Sequence, residues 1–300
     1  MDIAAKGSTG SPPIRVGGLA VRVLGPHNGG MPDGSPGIVS VPAPDRADGR
    51  ASPGSPFPRD DDLIEVSYGG RICLFDGAPV KGLERPGIIY TALMNGKFYE
   101  HAFLEYIRSL GIEGVYVDVG ACIGTHSLFF ALMCPSTQVI AFEPRDHLYE
   151  RVVRNAELND GGDKITAYQF ALSDTREDVP ASLDGRDWIL ECRPLDEVVT
   201  GRVDVLKIDV EGMETKVLAG AARTLERWRP RVFAEAGQRA QYDALVECMA
   251  RYDYVPTGRV FNATPTYEFI HRPPERWWAP FPSVVRRLAR RVRRTVQRRS

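Results

Sequence analysis

Hydrophobic and polar residues begin to follow regular periods at about residue 62. The segment LIEVSYGGRICLF alternates on either side of Gly69-Gly70, a pattern typical of a β-hairpin. The next segment, 97–111, has apolar residues at helical spacing and ends on a glycine, which predicts a helix. Residues 61–112 are therefore predicted to form an N-terminal hairpin and helix extension.

Short apolar runs then alternate with amphipathic segments over residues 113–275. The predicted strands are 115–119, 138–143, 164–172, 203–210 and 231–236, with short strands near 252–256 and 266–270. The predicted helices are 124–133, 145–159, one through VLAGAARTLERW and one from about 239, and a hairpin-like excursion covers 177–192. Consecutive β-α units with nearly continuous apolar strands predict an α/β fold, a doubly wound, mostly parallel sheet with helices on both faces.

The two ends of the chain have a different composition. Residues 1–60 are rich in Gly, Pro, Ser and Asp and are predicted to be a disordered leader. In the tail, 276–300, aromatic residues precede a stretch in which aliphatic residues recur every four positions among arginines. A helix with this pattern could bind an anionic membrane surface, and residues 277–300 would make the contact. A solvated tail, or a helix packed on the protein's own acidic body, explains the same pattern.

Charge is distributed unevenly between the tail and the rest. The formal net charge is -1, yet eight of the 38 lysines and arginines lie in 283–300, which leaves 30 basic against 39 acidic residues in the remainder. An acidic body argues against specific nucleic-acid binding. The five cysteines are scattered and no run of 18 apolar residues occurs. We expect a cytoplasmic protein, which the tail could bring into peripheral contact with the inner membrane surface.

The segment VYVDVGACIGTH predicts a strand that ends at Asp118 and turns through Gly120 and Gly124 into a helix. Glycines permit positive φ and close backbone approach, and the helix start favours an anionic group. Pyrophosphate and carboxylate both qualify, although Cys122 stands where the dinucleotide fingerprint needs glycine. A G-x-x-x-G alone is equally compatible with a packing turn.

Glu143 adds a second feature at a compatible spacing. It ends the second predicted strand about 20 residues after the glycines, where an acid can accept both ribose hydroxyls. The alternative is an acid at a helix N-terminus, because Pro144 follows. The combination with the glycine turn favours the ribose role.

Five motifs together resemble the FkbM family of S-adenosylmethionine-dependent methyltransferases. In chain order they are VDVGACIGTHSLFFA, AFEPRDHLYERVVRNAELN, ALSD, VDVLKIDVEGMETKVLAGA and RPRVFAEAG. The resemblance covers roughly 97–237 and implies a Rossmann-like sheet of the class I methyltransferase type. It also implies S-adenosyl-L-methionine as the cofactor.

The resemblance carries roles to individual positions. Asp118, Gly120, Cys122 and Gly124 would hold the methionine part of the cofactor, and Glu143 the ribose. Ser173 and Asp174 would lie near the adenine, and Glu235 would line the acceptor pocket. Asp209 and Glu211 would face the transferred methyl, with His126 as a third candidate. Cys122 departs from the family, which commonly has Asn there, and we expect weaker cofactor binding as a result.

A hydroxyl acceptor would need its proton taken by a carboxylate or a histidine, and Asp209, Glu211 and His126 are the candidates. Asp209 could instead cap the next helix, with Glu211 as a first-turn acid, and His126 could be a helix residue bonded to a carboxylate. No metal is predicted, because no third ligand is evident beside Asp209 and one neighbouring acid.

The leading hypothesis is therefore O-methylation of a hydroxyl on a small-molecule acceptor, a glycan or a secondary metabolite. The alternatives are an RNA or protein methyltransferase recruited by the basic tail, a non-catalytic family member that acts as a binding module, and an NAD-dependent oxidoreductase. The glycine spacing and the KIDVEG segment argue against the last of these.

Overall fold

The computed structural model describes residues 23–24, 63–78, 87–183 and 186–272. The predicted tail and almost all of the predicted leader lie outside the described residues. Within the leader, Val23–Leu24 forms a short strand, β1. Among the described residues, no helix is both long and apolar enough to cross a membrane.

The N-terminal extension consists of the predicted hairpin and two helices. Its elements are β2 (Leu63–Tyr68), β3 (Arg71–Asp76), α1 (Ile88–Met94) and α2 (His101–Ser109). The α2 helix buries Phe103, Leu104 and Ile107, the apolar face that the sequence pattern predicted. The α1 helix was not predicted.

The first half of the core alternates strands and helices as the sequence predicted. Its elements are β4 (Gly114–Val119), α3 (Thr125–Met133), β5 (Ser136–Phe142), α4 (Asp146–Glu157), β6 (Ile165–Tyr168), β7 (Ala171–Leu172), β8 (Glu177–Leu183) and β9 (Arg186–Arg193). The single predicted strand 164–172 is wrong. The chain leaves the main sheet after Tyr168, Phe170 packs against Phe142, and β7 pairs with β9 in a separate three-stranded sheet.

The second half of the core ends in an antiparallel hairpin. Its elements are α5 (Leu195–Val198), β10 (Val205–Ile208), α6 (Glu214–Ala219), α7 (Ala222–Arg227), β11 (Arg231–Glu235), α8 (Arg239–Ala250), β12 (Tyr254–Phe261) and β13 (Thr266–His271). The segment predicted as one helix is broken into α6 and α7 at Gly220 and Ala221. The prediction of a single continuous helix is therefore wrong.

The main sheet has the strand order β1-β6-β5-β4-β10-β11-β13-β12. The first six strands are parallel, and β13 and β12 are antiparallel to their neighbours. Separate apolar clusters cover the two faces, one including the hairpin and α1 to α4, the other α5 to α8. The fold is therefore the predicted doubly wound, mostly parallel Rossmann-like sheet.

Candidate functional site

The strand order reverses at β4, which pairs with β5 on one side and β10 on the other. In such sheets a crevice opens beyond the carboxyl ends of the strands on either side of the reversal. The loops after β4 and β10 meet there so closely that a Cβ on Gly120 would lie 1.8 Å from the Asp209 carbonyl oxygen. Gly120 is thus required by the contact between these two loops.

The loop after β4 has left-handed backbone at alternate residues. The φ angles are 81° at Gly120, 53° at Cys122 and 81° at Gly124, the residue before α3. No side chain caps the start of α3 at Gly124. The first N–H groups of this helix therefore have no side-chain acceptor at the cap position, which suits an anionic group such as a carboxylate.

Glu143 lies beside this loop and is almost fully buried, at 1% exposure. Its carboxylate accepts a hydrogen bond from the Cys122 backbone N–H at 2.9 Å and from Arg145 Nε at 2.8 Å. It also accepts from the Arg145 backbone N–H at 3.1 Å, just before α4 begins. Glu143 is therefore held in place by the glycine loop and by the start of α4. The first contact is compatible with the ribose interpretation of Glu143, and the second with the interpretation as an acid at a helix N-terminus.

A buried lysine connects the ends of β4 and β10. Lys207 Nζ lies 3.0 Å from Asp118 Oδ1 and 3.6 Å from Asp209 Oδ2, and it donates a hydrogen bond to the Gly120 carbonyl oxygen at 3.1 Å. Burial alone would lower the pKa of Lys207, but Asp118 and Asp209 raise it above its ordinary value. The ammonium group is therefore permanently charged and holds the two strand ends together.

Asp118 has no exposed surface in the structure. Besides its ion pair with Lys207, it accepts a hydrogen bond from Ser127 Oγ at 2.6 Å. Its contacts therefore tie α3 to the central strands. The predicted role toward a cofactor can only be exerted through the loop that Asp118 positions.

Three acids meet at the ends of β10 and β11. Carboxylate oxygens of Asp209, Glu211 and Glu235 lie within 4.8 Å of one another. The sequence offered no third ligand beside Asp209, whereas the structure brings in Glu235 from the next strand. Exposed acidic groups of this kind are common without an ion, so the grouping by itself assigns no metal.

Asp209 and Glu235 differ in protonation. Burial and, next to it, the neighbouring Asp209 carboxylate together raise the pKa of Glu235 to about 9. Burial opposes ionisation of Asp209 too, but the Lys207 ammonium lowers its pKa below the ordinary value. At neutral pH the pair therefore shares one proton, held on Glu235, and Asp209 is the anion.

Asp209 does not cap the following helix. The Glu214 carboxylate instead accepts hydrogen bonds from the backbone N–H groups of Gly212, at 2.9 Å, and Val210, at 3.3 Å. Because Glu214 satisfies these loop donors, the side chain of Asp209 remains directed toward Lys207 and Glu235. The capping interpretation of Asp209 is therefore wrong.

His126 lies in the first turn of α3 and is 4% exposed. Its ring stacks on Tyr99, with 6.0 Å between ring centroids and an interplanar angle of 9°. Nε2 lies 3.4 Å from Glu100 Oε2 without making a hydrogen bond. Burial lowers the pKa of His126 to about 4, so the ring is neutral near physiological pH.

Ser173 and Asp174 follow β7 and lie outside the main sheet. The Ser173 hydroxyl lies 3.0 Å from Asp174 Oδ1 and 3.2 Å from Glu177 Oε1, and its residue has no exposed surface. In the β8–β9 arm, the Trp188 ring stacks on the His147 ring, with 5.6 Å between their centroids. The adenine role of Ser173 and Asp174 stays a prediction.

Sequence reasoning gave no role to Lys207, and for Glu100 the resemblance to the FkbM family suggested only a place in a cofactor lid. Lys207 is the first residue of the KIDVEG segment, and a lysine within an apolar strand was a usable signal, since a buried lysine requires acidic partners. Glu100 carries no comparable signal, because its proximity to His126 depends on how α2 packs against α3.

Comparisons with known proteins find methyltransferases among the similar sequences. The family model described as the methyltransferase FkbM domain matches residues 118–256. Methyltransferase sdnD from Sordaria araneosa is 26% identical over 50% of this chain and 79% of its own length. Hexuronic acid methyltransferase AglP from Haloferax volcanii is 30% identical over 38% of this chain and 52% of its own length. The chain thus spans about half the length of AglP.

A crystal structure of methyltransferase FkbM from Methylobacillus flagellatus KT superimposes with a TM-score of 0.44 and 18% identity, covering 54% of this chain and 44% of that one. The fold, the crevice and the sequence matches together define a methyltransferase. Residues 118–256 of this chain are similar to the methyltransferase domain of the FkbM family.

Proposed function

We propose that the protein is an S-adenosylmethionine-dependent O-methyltransferase that acts on a hydroxyl group of a glycan or secondary-metabolite acceptor. The observation that carries this proposal is the meeting of the glycine loop, Glu143 and the Asp209–Glu235 pair at one crevice. Loop and Glu143 suit a nucleoside cofactor with a carboxylate, and the acids suit a hydroxyl acceptor.

The residues present fit such a cofactor on chemical grounds. Glu143 offers carboxylate oxygens to ribose hydroxyls, and its rigid attachment to Cys122 and Arg145 fixes their position. The uncapped start of α3 offers N–H groups to a carboxylate. A 2′-phosphate would be repelled by Glu143, which argues against a phosphorylated dinucleotide.

When bound, S-adenosylmethionine supplies a methyl group on a positively charged sulfur, already activated for transfer. The protein then has to position the acceptor, exclude water and remove a proton. Asp209 is suited to take the proton of an acceptor hydroxyl, because it is ionised and one-third exposed at the crevice. Glu235 keeps its own proton and donates it in a hydrogen bond to Asp209, which helps to keep Asp209 ionised.

Two relatives bear on the acceptor class. AglP acts, by its name, on a hexuronic acid, and sdnD is named only as a methyltransferase. Hexuronic acids are therefore the first acceptors to try, followed by hydroxylated secondary metabolites. A hexuronic acid carries a carboxylate of its own. This carboxylate would have to bind away from the acids around Asp209, because like charges repel.

Isothermal titration calorimetry tests the cofactor. We expect wild type to bind S-adenosylmethionine with micromolar affinity and NAD not at all. Glu143→Ala should weaken binding by about 10- to 100-fold, since it removes a charged partner of two hydroxyls. The matched control is Glu157→Ala, on the far end of α4 and partly exposed beside Arg154.

Absence of S-adenosylmethionine binding to folded wild type would refute the proposal, and so would equal binding by Glu143→Ala. Mass spectrometry after incubation with hexuronic acids and other hydroxylated acceptors would then identify the methylated atom. Transfer to RNA or to a protein, but to no hydroxylated small molecule, would favour the alternative acceptor class instead.

A further inference from the structure

The Glu100 carboxyl group and the His126 ring lie side by side at the edge of the crevice, and no hydrogen bond joins them. The Tyr99 backbone favours a proton on the His126 ring, although burial keeps the ring neutral. Because Nε2 has no hydrogen-bond partner, we assign the single ring proton to Nδ1 and the lone pair to Nε2. Nε2 and Glu100 Oε2 are 3.4 Å apart. In its ionised form Glu100 therefore places a second acceptor beside Nε2, an arrangement that a donor from outside the protein would satisfy.

Glu100 is held in this position at some cost to the backbone. Its φ and ψ angles are 54° and 39°, a left-handed conformation that is unfavourable for a residue with a side chain, and its side chain is only 12% exposed. Among the described residues, His126 is the single group within ion-pair distance of this carboxylate. The strained backbone therefore holds this acid beside a neutral histidine, with no Lys or Arg of the described residues at ion-pair distance.

The surroundings of Glu100 are negatively charged. Asp118 and Asp209 oppose its ionisation, Tyr99 hydrogen-bonds to it, and Lys207 is the cation that favours it. Lys207, however, already lies at ion-pair distance from both Asp118 and Asp209. The carboxyl groups around this pocket therefore outnumber the cations that face them. A cationic ligand would stabilise the ionised form of these carboxyl groups.

We propose that Glu100 and His126 Nε2 bind the α-ammonium group of the cofactor's methionine part, so that the segment preceding the parallel sheet completes the cofactor site. This inference rests on the proposed function. An ammonium group has three N–H donors and a full positive charge, which matches a carboxylate oxygen and a ring nitrogen placed side by side. The proposed position of the ammonium group is also next to the uncapped start of α3. This helix start suits the carboxylate of the same methionine part.

The protonation of Glu100 supports this assignment. Burial raises its pKa to about 7, so the group is only partly ionised at neutral pH without a ligand. An ammonium ligand favours the carboxylate and should therefore expel the proton. The other titratable groups around it are Tyr99, His126, Asp118, Asp209 and Lys207.

Calorimetry with three ligands tests the inference without any methyl acceptor. S-adenosylmethionine and S-adenosylhomocysteine carry the ammonium group, and 5′-methylthioadenosine lacks it. Glu100→Gln should weaken the first two by about 10- to 100-fold and change the third by less than about threefold. Glu157→Gln is the matched control and should change none of them.

A second measurement uses wild type alone and remains valid if Glu100→Gln fails to fold. Affinity for S-adenosylhomocysteine should rise about fivefold from pH 6 to pH 7, because a larger fraction of Glu100 is already ionised before the ligand binds. Affinity for 5′-methylthioadenosine should not change. Titrations in buffers of different ionisation enthalpy should show proton release only with the former ligand.

The outcomes separate this inference from the proposed function. If wild type binds no S-adenosylmethionine, both fail. If wild type binds it and Glu100→Gln binds it equally well, only the inference fails. Equal weakening of all three ligands would also overturn it, because Glu100 would then support the pocket as a whole.

Discussion

Cys122 shows how one backbone angle can decide what a position requires. Its φ is 53°, and its N–H group is the one that binds Glu143. Asn is among the residues that tolerate this left-handed region best, which gives a backbone reason for the Asn that FkbM relatives commonly have there. The sequence suggested a role for the Asn amide, whereas in this chain the contact with Glu143 is made by the backbone.

Substitution at Cys122 should therefore follow backbone preference more than side-chain polarity. We expect Cys122→Val, similar in size but β-branched, to lower the free energy of unfolding by about 1–2 kcal/mol, because β-branched residues fit φ > 0 poorly. Cys122→Asn should retain wild-type stability. Thermal unfolding measures both, and equal stability of the two variants would contradict the backbone explanation.

At the scale of elements, close contacts explain why the helical segment after β10 is broken into α6 and α7. Gly220 ends α6, and a Cβ there would lie 2.0 Å from the Ser173 carbonyl oxygen. Asp196 then accepts hydrogen bonds from the backbone N–H groups of Arg223 and Thr224, at 2.6 and 3.0 Å, inside the first turn of α7. Helical periodicity continues across this break, so the sequence predicted one helix where packing requires two.

Gly220→Ala should accordingly destabilise the protein through sterics alone, since Gly220 has ordinary negative φ. We expect a loss of about 1–3 kcal/mol in the free energy of unfolding, the usual cost of overpacking. Gly201→Ala is the control, because nothing lies within 4 Å of the Cβ it would add. Urea unfolding of both variants measures the difference, and a harmless Gly220→Ala would show that α6 can shift away from Ser173.

For the whole molecule, charge separates the tail from the body. The last 18 residues carry eight arginines, while acids outnumber bases in the remainder. This region lies outside the described residues, so contact with an anionic membrane stays a prediction from sequence. A polybasic amphipathic segment gains about 1 kcal/mol per basic residue near an anionic surface and loses it with added salt.

Deletion of residues 283–300 should abolish sedimentation with phosphatidylglycerol vesicles at low salt, without changing calorimetric affinity for S-adenosylmethionine. Phosphatidylcholine vesicles are the control and should bind neither form. Vesicle binding that persists after the deletion would place the membrane contact elsewhere in the chain. Vesicle binding that does not weaken with added salt would exclude an electrostatic contact.

Sequence alone determined the alternation of strands and helices and most of the crevice. Asp118, Glu143, Asp209 and Glu235 could be named because each ends a parallel strand, and parallel strands bring their carboxyl ends to one edge. Tertiary structure decided which of these groups carry charge. Lys207 lies between two aspartates, Glu235 takes the proton that Asp209 gives up, and Glu100 reaches His126 from an element outside the sheet. Protonation depends on burial and on neighbours distant in sequence, and neither is encoded in the local pattern of residues.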